Sequence, residues 1–135
     1  MNPDEALQRL GEGYKTFDEL VHDLLSQSPV PLGQAQPPAT PGVYLLFRNG
    51  EICYVGEAKG SGGLHDRLRN KHVSGDDNHA IQRALRDEFP DRKLRREYIK
   101  NNVLATWVVV NDFDAIAVME RILIWLLGCP RWNRK

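Results

Sequence analysis

The order of apolar and polar residues predicts a helical N-terminal segment that a proline-rich linker joins to the rest of the chain. Thr16 and Glu19 have the spacing of a capping box, which predicts a helix over about 17–26, and a shorter helix is predicted near 4–10. Five prolines follow between 28 and 41, a composition typical of an extended linker. We therefore expect a helical extension and linker over 1–40, ahead of a folded domain over 41–135.

A β-hairpin is predicted at the start of this domain. Residues 43–47 and 52–55 are rich in β-branched and aromatic side chains, and Asn49-Gly50 lies between them. A two-residue loop would place Tyr44 opposite Val55 and turn Tyr54 to the other face of the hairpin. A three-residue loop would instead pair Tyr44 with Tyr54 on one face. The turn alone leaves both registers open.

Helices and one more strand are predicted after the hairpin. Helical patterns cover about 64–72 and 78–88, and the basic residues 92–100 are expected to form a helical segment or a turn. The apolar stretch 103–110 predicts a strand that is buried on both faces and therefore central. Asp112 or Asp114 is expected to cap a last helix that ends before Gly128. This order predicts an α+β fold, with a small three-stranded antiparallel sheet flanked by helices.

Length and composition are those of one globular domain of 135 residues. The longest apolar stretch, 115–128, is interrupted by Glu120 and Arg121 and is shorter than the about 20 residues that cross a bilayer, so no membrane association is expected. The two cysteines, without an apolar signal segment at the N-terminus, favour reduced thiols and a cytoplasmic location.

Charge is unevenly distributed, although the net charge of the whole chain is zero. Residues 1–40 hold two Lys/Arg and six Asp/Glu, so 41–135 carry a net charge of +4. Within 59–100 there are eleven Lys/Arg and seven Asp/Glu. Such a basic stretch is compatible with a phosphate-binding surface, and the commonest alternative is a solvated helical face.

A carboxylate lies in the middle of the most apolar helix. This last helix is apolar nearly all round, so we expect it to be buried, and Glu120 would be costly there unless it were paired or bound to a metal. Arg121 points about 100° away from it around the helix. Glu120 is therefore either half of a structural ion pair or a metal ligand.

Five short motifs follow one another along the chain. They are Gly42-Val43-Tyr44, Tyr54-Val55-Gly56, Arg67-Leu68 with His72, the mid-helix Glu120, and Pro130 followed by Asn133. Together they resemble the GIY-YIG nuclease superfamily, over about 41–133. The resemblance implies a three-stranded antiparallel sheet flanked by helices and phosphodiester hydrolysis with one divalent cation. It also favours the three-residue hairpin loop, since the family has both tyrosines in one active site.

The resemblance implies roles for the residues around the reacting water. Tyr44 would deprotonate or orient this water, with help from the cation, from Arg67 or from a relay through His72, because a phenol of pKa about 10 is a poor base. Tyr54 would form a hydrogen bond near the nucleophile or the phosphate. Arg67 would bind the scissile phosphate with its planar guanidinium.

The remaining expected roles concern the cation and the substrate. Glu120 would bind one Mg²⁺ or Mn²⁺ ion. Asn133 would hold the end of the chain against the site or bind substrate. Arg69 is a rival of Arg67, and substrate-binding roles are expected for Lys59, Arg69 and Lys71.

The function expected from the motif set is a divalent-metal-dependent endonuclease that acts on nucleic acid, with DNA favoured. The alternative is a nucleic-acid-binding module that has kept the fold without cleavage. The acidic extension would either cover the basic surface or pack against the sheet as ordinary structure.

Overall fold

A computed structural model of the protein describes residues 1–74 and 80–133. The chain begins with α1 (Pro3–Ser26), β1 (Val30–Pro31) and the hairpin of β2 (Gly42–Arg48) and β3 (Glu51–Ala58). A helical run follows, made of α2 (Gly63–His65), a π-helical segment (Asp66–Lys71) and α3 (His72–Ser74). The remaining elements are α4 (Ala80–Leu85), α5 (Arg92–Asn102), β4 (Leu104–Val109) and α6 (Phe113–Leu126).

The sheet is antiparallel and has the strand order β1-β4-β2-β3. The three predicted strands are β2, β3 and β4, and the two-residue β1 is added beside β4, which therefore lies inside the sheet as predicted. The predicted α+β class, with an antiparallel sheet, flanking helices and an N-terminal helix, is confirmed. Over the residues that the structure describes, the sheet has four strands rather than three.

Each face of the sheet is covered by its own helices, because successive residues of a strand point to opposite sides. One face packs on α2 to α5, with a core that includes Tyr44, Leu46, Leu64, Ile81 and Ile99. The other face packs on α1 and α6, with a core that includes Val43, Leu45, Leu24, Ile116 and Leu123.

The N-terminal segment forms one long helix instead of the two short helices predicted. Asn2 caps it, since its Oδ1 accepts a hydrogen bond from the N–H of Glu5 at 2.9 Å. Thr16 lies inside α1, where its hydroxyl donates to the carbonyl of Glu12 at 3.2 Å. The capping box assigned to Thr16 was therefore wrong, because Asn2 followed by Pro3 starts the helix earlier.

The proline-rich segment is packed against the sheet and is not an extended linker. Its residues 30–31 form β1, and the buried Leu32 donates its N–H to the carbonyl of Val103 at 2.9 Å. The N–H of Gly33 donates to the carbonyl of Lys100, also at 2.9 Å. Part of the segment before the predicted domain boundary at residue 40 thus already belongs to the sheet.

Only one side of α6 is buried, so the predicted burial on all sides was wrong. Ile116, Met119 and Leu123 contact the sheet, whereas Val118 and Trp125 expose 54% and 76% of their surface. Within 1–74 and 80–133, no helix has both the length and the apolar character that crossing a membrane requires.

The C-terminal residues cover the outer edge of β3. The N–H of Trp132 donates to the carbonyl of Cys53 at 2.8 Å. The side chain of Asn133 accepts from the N–H of Val55 and donates to its carbonyl, both at 2.8 Å. Asn133 therefore satisfies the backbone groups that a further strand would bind, and closes this edge of the sheet.

Asn133→Ala is expected to lower the free energy of unfolding by about 1–3 kcal/mol, because the partly buried N–H and carbonyl of Val55 lose their partner. Urea denaturation measures this difference. Asn111→Ala, at an exposed asparagine that precedes α6, is the matched control and should stay within about 0.5 kcal/mol of the wild type. Equal stability of the two variants would contradict the role of Asn133 at the sheet edge.

Candidate active site

The hairpin closes with a two-residue turn. Arg48 pairs with Glu51, and Asn49 and Gly50 between them have φ angles of 53° and 79°. Positive φ at both central residues is what a type I′ hairpin turn requires. The three-residue loop favoured by the resemblance was therefore wrong. By itself, this turn would leave the two tyrosines on opposite faces.

A β-bulge restores the common face. The strand pairing shifts between Leu46 and Phe47, which leaves Cys53 as an extra residue of β3 and pairs Leu46 with Tyr54. Because Tyr44 and Leu46 are two residues apart on β2, Tyr44 and Tyr54 lie on the same face, with ring centroids 6.1 Å apart. The predicted common face is confirmed, although by a different register.

Gly56 provides the room for the Tyr44 ring. The two residues pair across β2 and β3, and a Cβ atom at position 56 would overlap the ring and the hydroxyl of Tyr44. Tyr44 is fully buried in this position. The glycine of the second motif is thus required by the tyrosine of the first.

His72 joins the two tyrosines in one cluster. Its Nε2 lies 2.6 Å from the Tyr44 hydroxyl, and its ring centroid is 5.5 Å from that of Tyr44 and 5.6 Å from that of Tyr54. His72 is itself buried. The three side chains therefore form a closed aromatic triangle with a short hydrogen bond inside it.

The π-helical segment brings Arg67 towards His72. In an α-helix, residues five apart point about 140° away from each other. Here the N–H of His72 bonds to the carbonyl of Arg67, a hydrogen bond that spans five residues. A π-helical turn reduces this angle, and the charge of Arg67 lowers the pKa of Tyr44, whose hydroxyl is bonded to His72.

Arg67 and Arg69 point to different neighbours. Arg67 is half-buried and donates from Nε to the carbonyl of Glu57 at 3.3 Å. Arg69 donates from one terminal nitrogen to the carbonyls of Gly33 at 3.3 Å and Ala35 at 2.7 Å. Arg67 therefore lies on the side of the tyrosine cluster, and Arg69 holds the proline-rich segment.

A small basic pocket lies beside Arg67. It has a volume of about 170 Å³, and its lining includes Lys59, Arg67 and Lys71 together with the backbone at Gly60 and Gly63. The Lys59 ammonium is also 3.5 Å from the carboxylate of Glu57. Of the three expected substrate-binding residues, Lys59 and Lys71 thus lie together with Arg67, and Arg69 does not.

Both tyrosines are held in their neutral form. Burial raises the pKa of Tyr44 well above its ordinary value, the neighbouring Tyr54 raises it further, and Arg67 acts in the opposite direction. Burial also raises the pKa of Tyr54, which is partly buried. Both phenols are therefore proton donors at neutral pH.

Glu120 is half-buried on α6, and its negative charge raises the pKa of both tyrosines. Burial raises the pKa of Glu120, and the neighbouring carboxylate of Glu57 adds to this, while Lys59 is the largest of the opposing charges. Among residues 1–74 and 80–133, no basic side chain forms an ion pair with Glu120. The structural ion pair considered for Glu120 is therefore absent from the described part of the chain.

The donor set around Glu120 fits one divalent cation that keeps most of its waters. The described residues contain no group of three or more His, Cys, Asp or Glu side chains that could hold a metal ion. A single accessible carboxylate is nevertheless what Mg²⁺ commonly takes from a protein, the other ligands being waters and phosphate oxygens. The repulsion between Glu57 and Glu120 is what a bound cation would relieve.

Two buried residues behind His72 were not identified from the sequence. Gln82 is fully buried, and its Nε2 donates to the carbonyls of His72 and Val73, at 3.0 Å each. Its Oε1 accepts from Nε of Arg95 at 2.7 Å, and Arg95 is buried as well. The pair fixes the end of the helical run that carries His72. The only signal in the sequence is that Gln82, a polar residue, directly follows the apolar Ile81 of α4.

No family model matches the chain, and no curated protein matches it. Two solved structures are similar to it, both of the GIY-YIG N-terminal endonuclease domain of UvrC from Thermotoga maritima, as tyrosine-to-phenylalanine point mutants bound to the catalytic divalent cation. The sequence identities are 21% and 20%, and the TM-score is 0.48 for each. In both cases the match covers 77% of this chain and 91% of that domain.

The arrangement of the motif residues can be compared with what their resemblance implies. In this chain the tyrosines of the two motifs share one face of an antiparallel sheet, and the glycine of the second motif lies against the tyrosine of the first. The central antiparallel sheet with helices on both faces is the arrangement that the resemblance of the motifs implies.

Proposed function

We propose that the protein is a divalent-metal-dependent endonuclease of the GIY-YIG type, which hydrolyses phosphodiester bonds in nucleic acid, with DNA as the favoured substrate. The observation that carries this proposal is the cluster of Tyr44, Tyr54 and His72, with Arg67 turned towards it by the π-helical segment. The negative charge of Glu120 raises the pKa of both tyrosines of the same cluster, so Glu120 lies near them. Phosphodiester hydrolysis needs an activated water, a cation and a phosphate-binding group, and these residues can supply or hold all three.

Arg67 is proposed to bind the scissile phosphate. A guanidinium has five N–H donors in a planar fork, and the Nε bond to the carbonyl of Glu57 uses one of them and orients the fork. Lys59 and Lys71 line the same small pocket and would add positive charge for the neighbouring phosphates. The three cations together explain why a polyanion would bind at this edge of the sheet.

Tyr44 is proposed to act as one member of a proton relay. Its raised pKa makes a standing phenolate unfavourable at neutral pH. With neutral His72 accepting at Nε2, the proton of the attacking water would pass to the Tyr44 oxygen as the phenol proton moves to His72. The partly buried Tyr54 would bind the phosphate or the water at the entrance to this relay.

Glu120 is the proposed protein ligand of one Mg²⁺ or Mn²⁺ ion. When bound, the cation supplies positive charge to the phosphate oxygens and lowers the pKa of a bound water. Glu120 would fix its position next to the tyrosine cluster, and the nearby Glu57 strengthens the local negative potential that attracts a cation.

One observation favours a second candidate function. Tyr44 is completely buried in the free protein, as expected if its role is to pack the core of a nucleic-acid-binding module that does not cleave. Such a module would use the same basic pocket for the phosphate backbone but would not need Glu120.

Glu120→Gln separates the two functions. If Glu120 holds the cation, the variant should bind DNA in the presence of chelator at least as tightly as the wild type. Its Mg²⁺-dependent nicking of supercoiled DNA should fall by about 10³-fold or more. Nicking with Mg²⁺, with Mn²⁺ and with chelator, on the same preparations, measures this loss. A folded variant that cleaves near the wild-type rate would remove Glu120 from the mechanism.

Thermal stability provides the control for this variant. Because the pKa of Glu120 is raised on folding, the native state binds its proton more tightly, and the ionised carboxylate costs stability once the pH exceeds the raised pKa. Gln removes this cost, so the variant should melt at or above the wild-type temperature at pH 7. Mg²⁺ should stabilise the wild type and not the variant. A wild-type protein that binds DNA but neither cleaves it nor responds to Mg²⁺ would favour the binding module.

The two arginines should respond differently to substitution. Arg67→Gln is expected to lower the cleavage rate by about 10²–10³-fold, because the phosphate loses a charged donor pair. Arg69→Gln should leave the rate within a few-fold and lower the free energy of unfolding by about 1–2 kcal/mol, since the carbonyls of Gly33 and Ala35 lose their donor. Single-turnover cleavage and urea denaturation of both variants measure the two effects. The reverse pattern would make Arg69 the arginine of the site.

A further inference from the structure

Within residues 1–74 and 80–133, the outer half of α1 is not packed into the core. Every residue from 1 to 16 is exposed, whereas from Phe17 onwards the helix packs on the sheet and α6. A helix as short as the exposed part of α1, residues 3–16, is only marginally stable by itself in water. Gly11 and Gly13 each cost about 1 kcal/mol relative to alanine. A contact outside the chain would stabilise this half of the helix.

An apolar seam runs along the whole of α1. It consists of Leu7, Leu10, Tyr14, Phe17, Val21 and Leu24, with the alternating spacing of three and four residues that characterises paired helices. The inner three residues pack against the sheet or α6. Leu7, Leu10 and Tyr14 expose 65%, 69% and 68% of their surface, so no described residue covers the outer part of the seam.

The outer seam leads into an apolar groove between α1 and α6. The groove has a volume of about 600 Å³, and its apolar lining includes Leu10, Tyr14, Phe17, Leu20, Val118 and Ile122. Val118 exposes 54% of its surface here. Each molecule therefore carries a projecting apolar helix and, at the base of that helix, a groove that can receive one.

We propose that this surface binds a second copy of the chain, with the two α1 helices antiparallel about a two-fold axis near Glu12. The seam from Leu7 to Phe17 has the spacing three, four, three, which is the same in both directions. Antiparallel pairing places Leu10 opposite Tyr14 of the second copy, and Leu7 opposite Phe17, at the groove. The surface is therefore complementary to itself, as a two-fold interface requires.

The residues beside the proposed axis fit a close helix crossing. Gly11 and Gly13 flank the seam, and no atom of the described residues lies within 4 Å of a Cβ built at either position. The two backbones could therefore approach closely there, which gives the glycines a role that offsets their cost to the helix. Glu5, Glu12 and Glu19 lie on the opposite side of α1 and stay in solvent.

The available apolar area supplies just over half of what a stable dimer buries. The exposed parts of the outer seam and of Val118 amount to roughly 450 Å² per copy, if a large side chain presents roughly 150–250 Å². This is more than half of the about 800 Å² that each partner of a stable complex buries, and the polar flanks of two crossing helices supply the rest.

Sedimentation equilibrium of the full chain tests this proposal without any assay of activity. The wild type should be dimeric at about 100 µM and dissociate on dilution. Leu10→Glu and Tyr14→Glu should each raise the dissociation constant by at least about tenfold, because they bury a charge at the axis. Leu94→Glu, at a leucine of α5 that is exposed to 63%, is the matched control and should dimerise like the wild type.

Two further readouts belong to the same experiment. The monomeric Leu10→Glu variant should lose helical circular dichroism and keep the melting temperature of its sheet core, since only the outer half of α1 unfolds. Salt should tighten the wild-type dimer, because α1 has six acidic and two basic residues and two such helices repel. A wild type that stays monomeric at about 100 µM, or a Leu10→Glu variant that dimerises as tightly as the wild type, would overturn the proposal.

Discussion

The site depends on how the Tyr44 side chain is held. Its ring lies against the backbone of Gly56, and its hydroxyl is 2.6 Å from Nε2 of His72. A polar group inside the core is costly without a partner, so the hairpin and the helical run that carries His72 constrain each other. Tyr54 and Arg67 take their positions from these two elements, Tyr54 from the face that it shares with Tyr44 and Arg67 from the turn that ends at His72.

Two local irregularities, each of one extra residue, create this arrangement. The bulge at Cys53 turns Tyr54 to the face of Tyr44, where a regular hairpin with the same turn would have pointed it towards α1 and α6. The π-helical hydrogen bond from His72 to Arg67 reduces the angle between the two side chains around the helix. Both motif-bearing elements have an irregular backbone. Irregular backbone costs free energy and is commonly found at functional sites, which is a structural reason to regard the cluster as functional.

The pattern of apolar residues predicted the hairpin strands, β4 and the position of α6, although α6 is buried on one side only. The pattern did not predict structure that depends on contacts between residues far apart in the sequence. The proline-rich segment forms a strand because it pairs with β4, and the hairpin keeps both tyrosines on one face through a bulge that turn chemistry does not reveal. Arg67 and Arg69 are equivalent in the sequence, and only the carbonyls of Gly33 and Ala35 distinguish them. Gln82 could not be found because its partners are backbone carbonyls of the helical run before it.

The proposed relay requires that Tyr44 be a neutral phenol and not a standing phenolate. A pH titration by NMR, with tyrosines labelled by ¹³C at Cζ and the Tyr44→Phe variant to assign the signal, measures it directly. Because burial and the neighbouring Tyr54 raise the pKa of Tyr44, its signal should keep its neutral-phenol shift beyond the ordinary value of about 10, for as long as the protein stays folded. Replacing His72 by alanine should move this signal, since the hydrogen bond to Nε2 is lost. A Tyr44 phenol that ionises at or below its ordinary pKa in the free protein would contradict the relay.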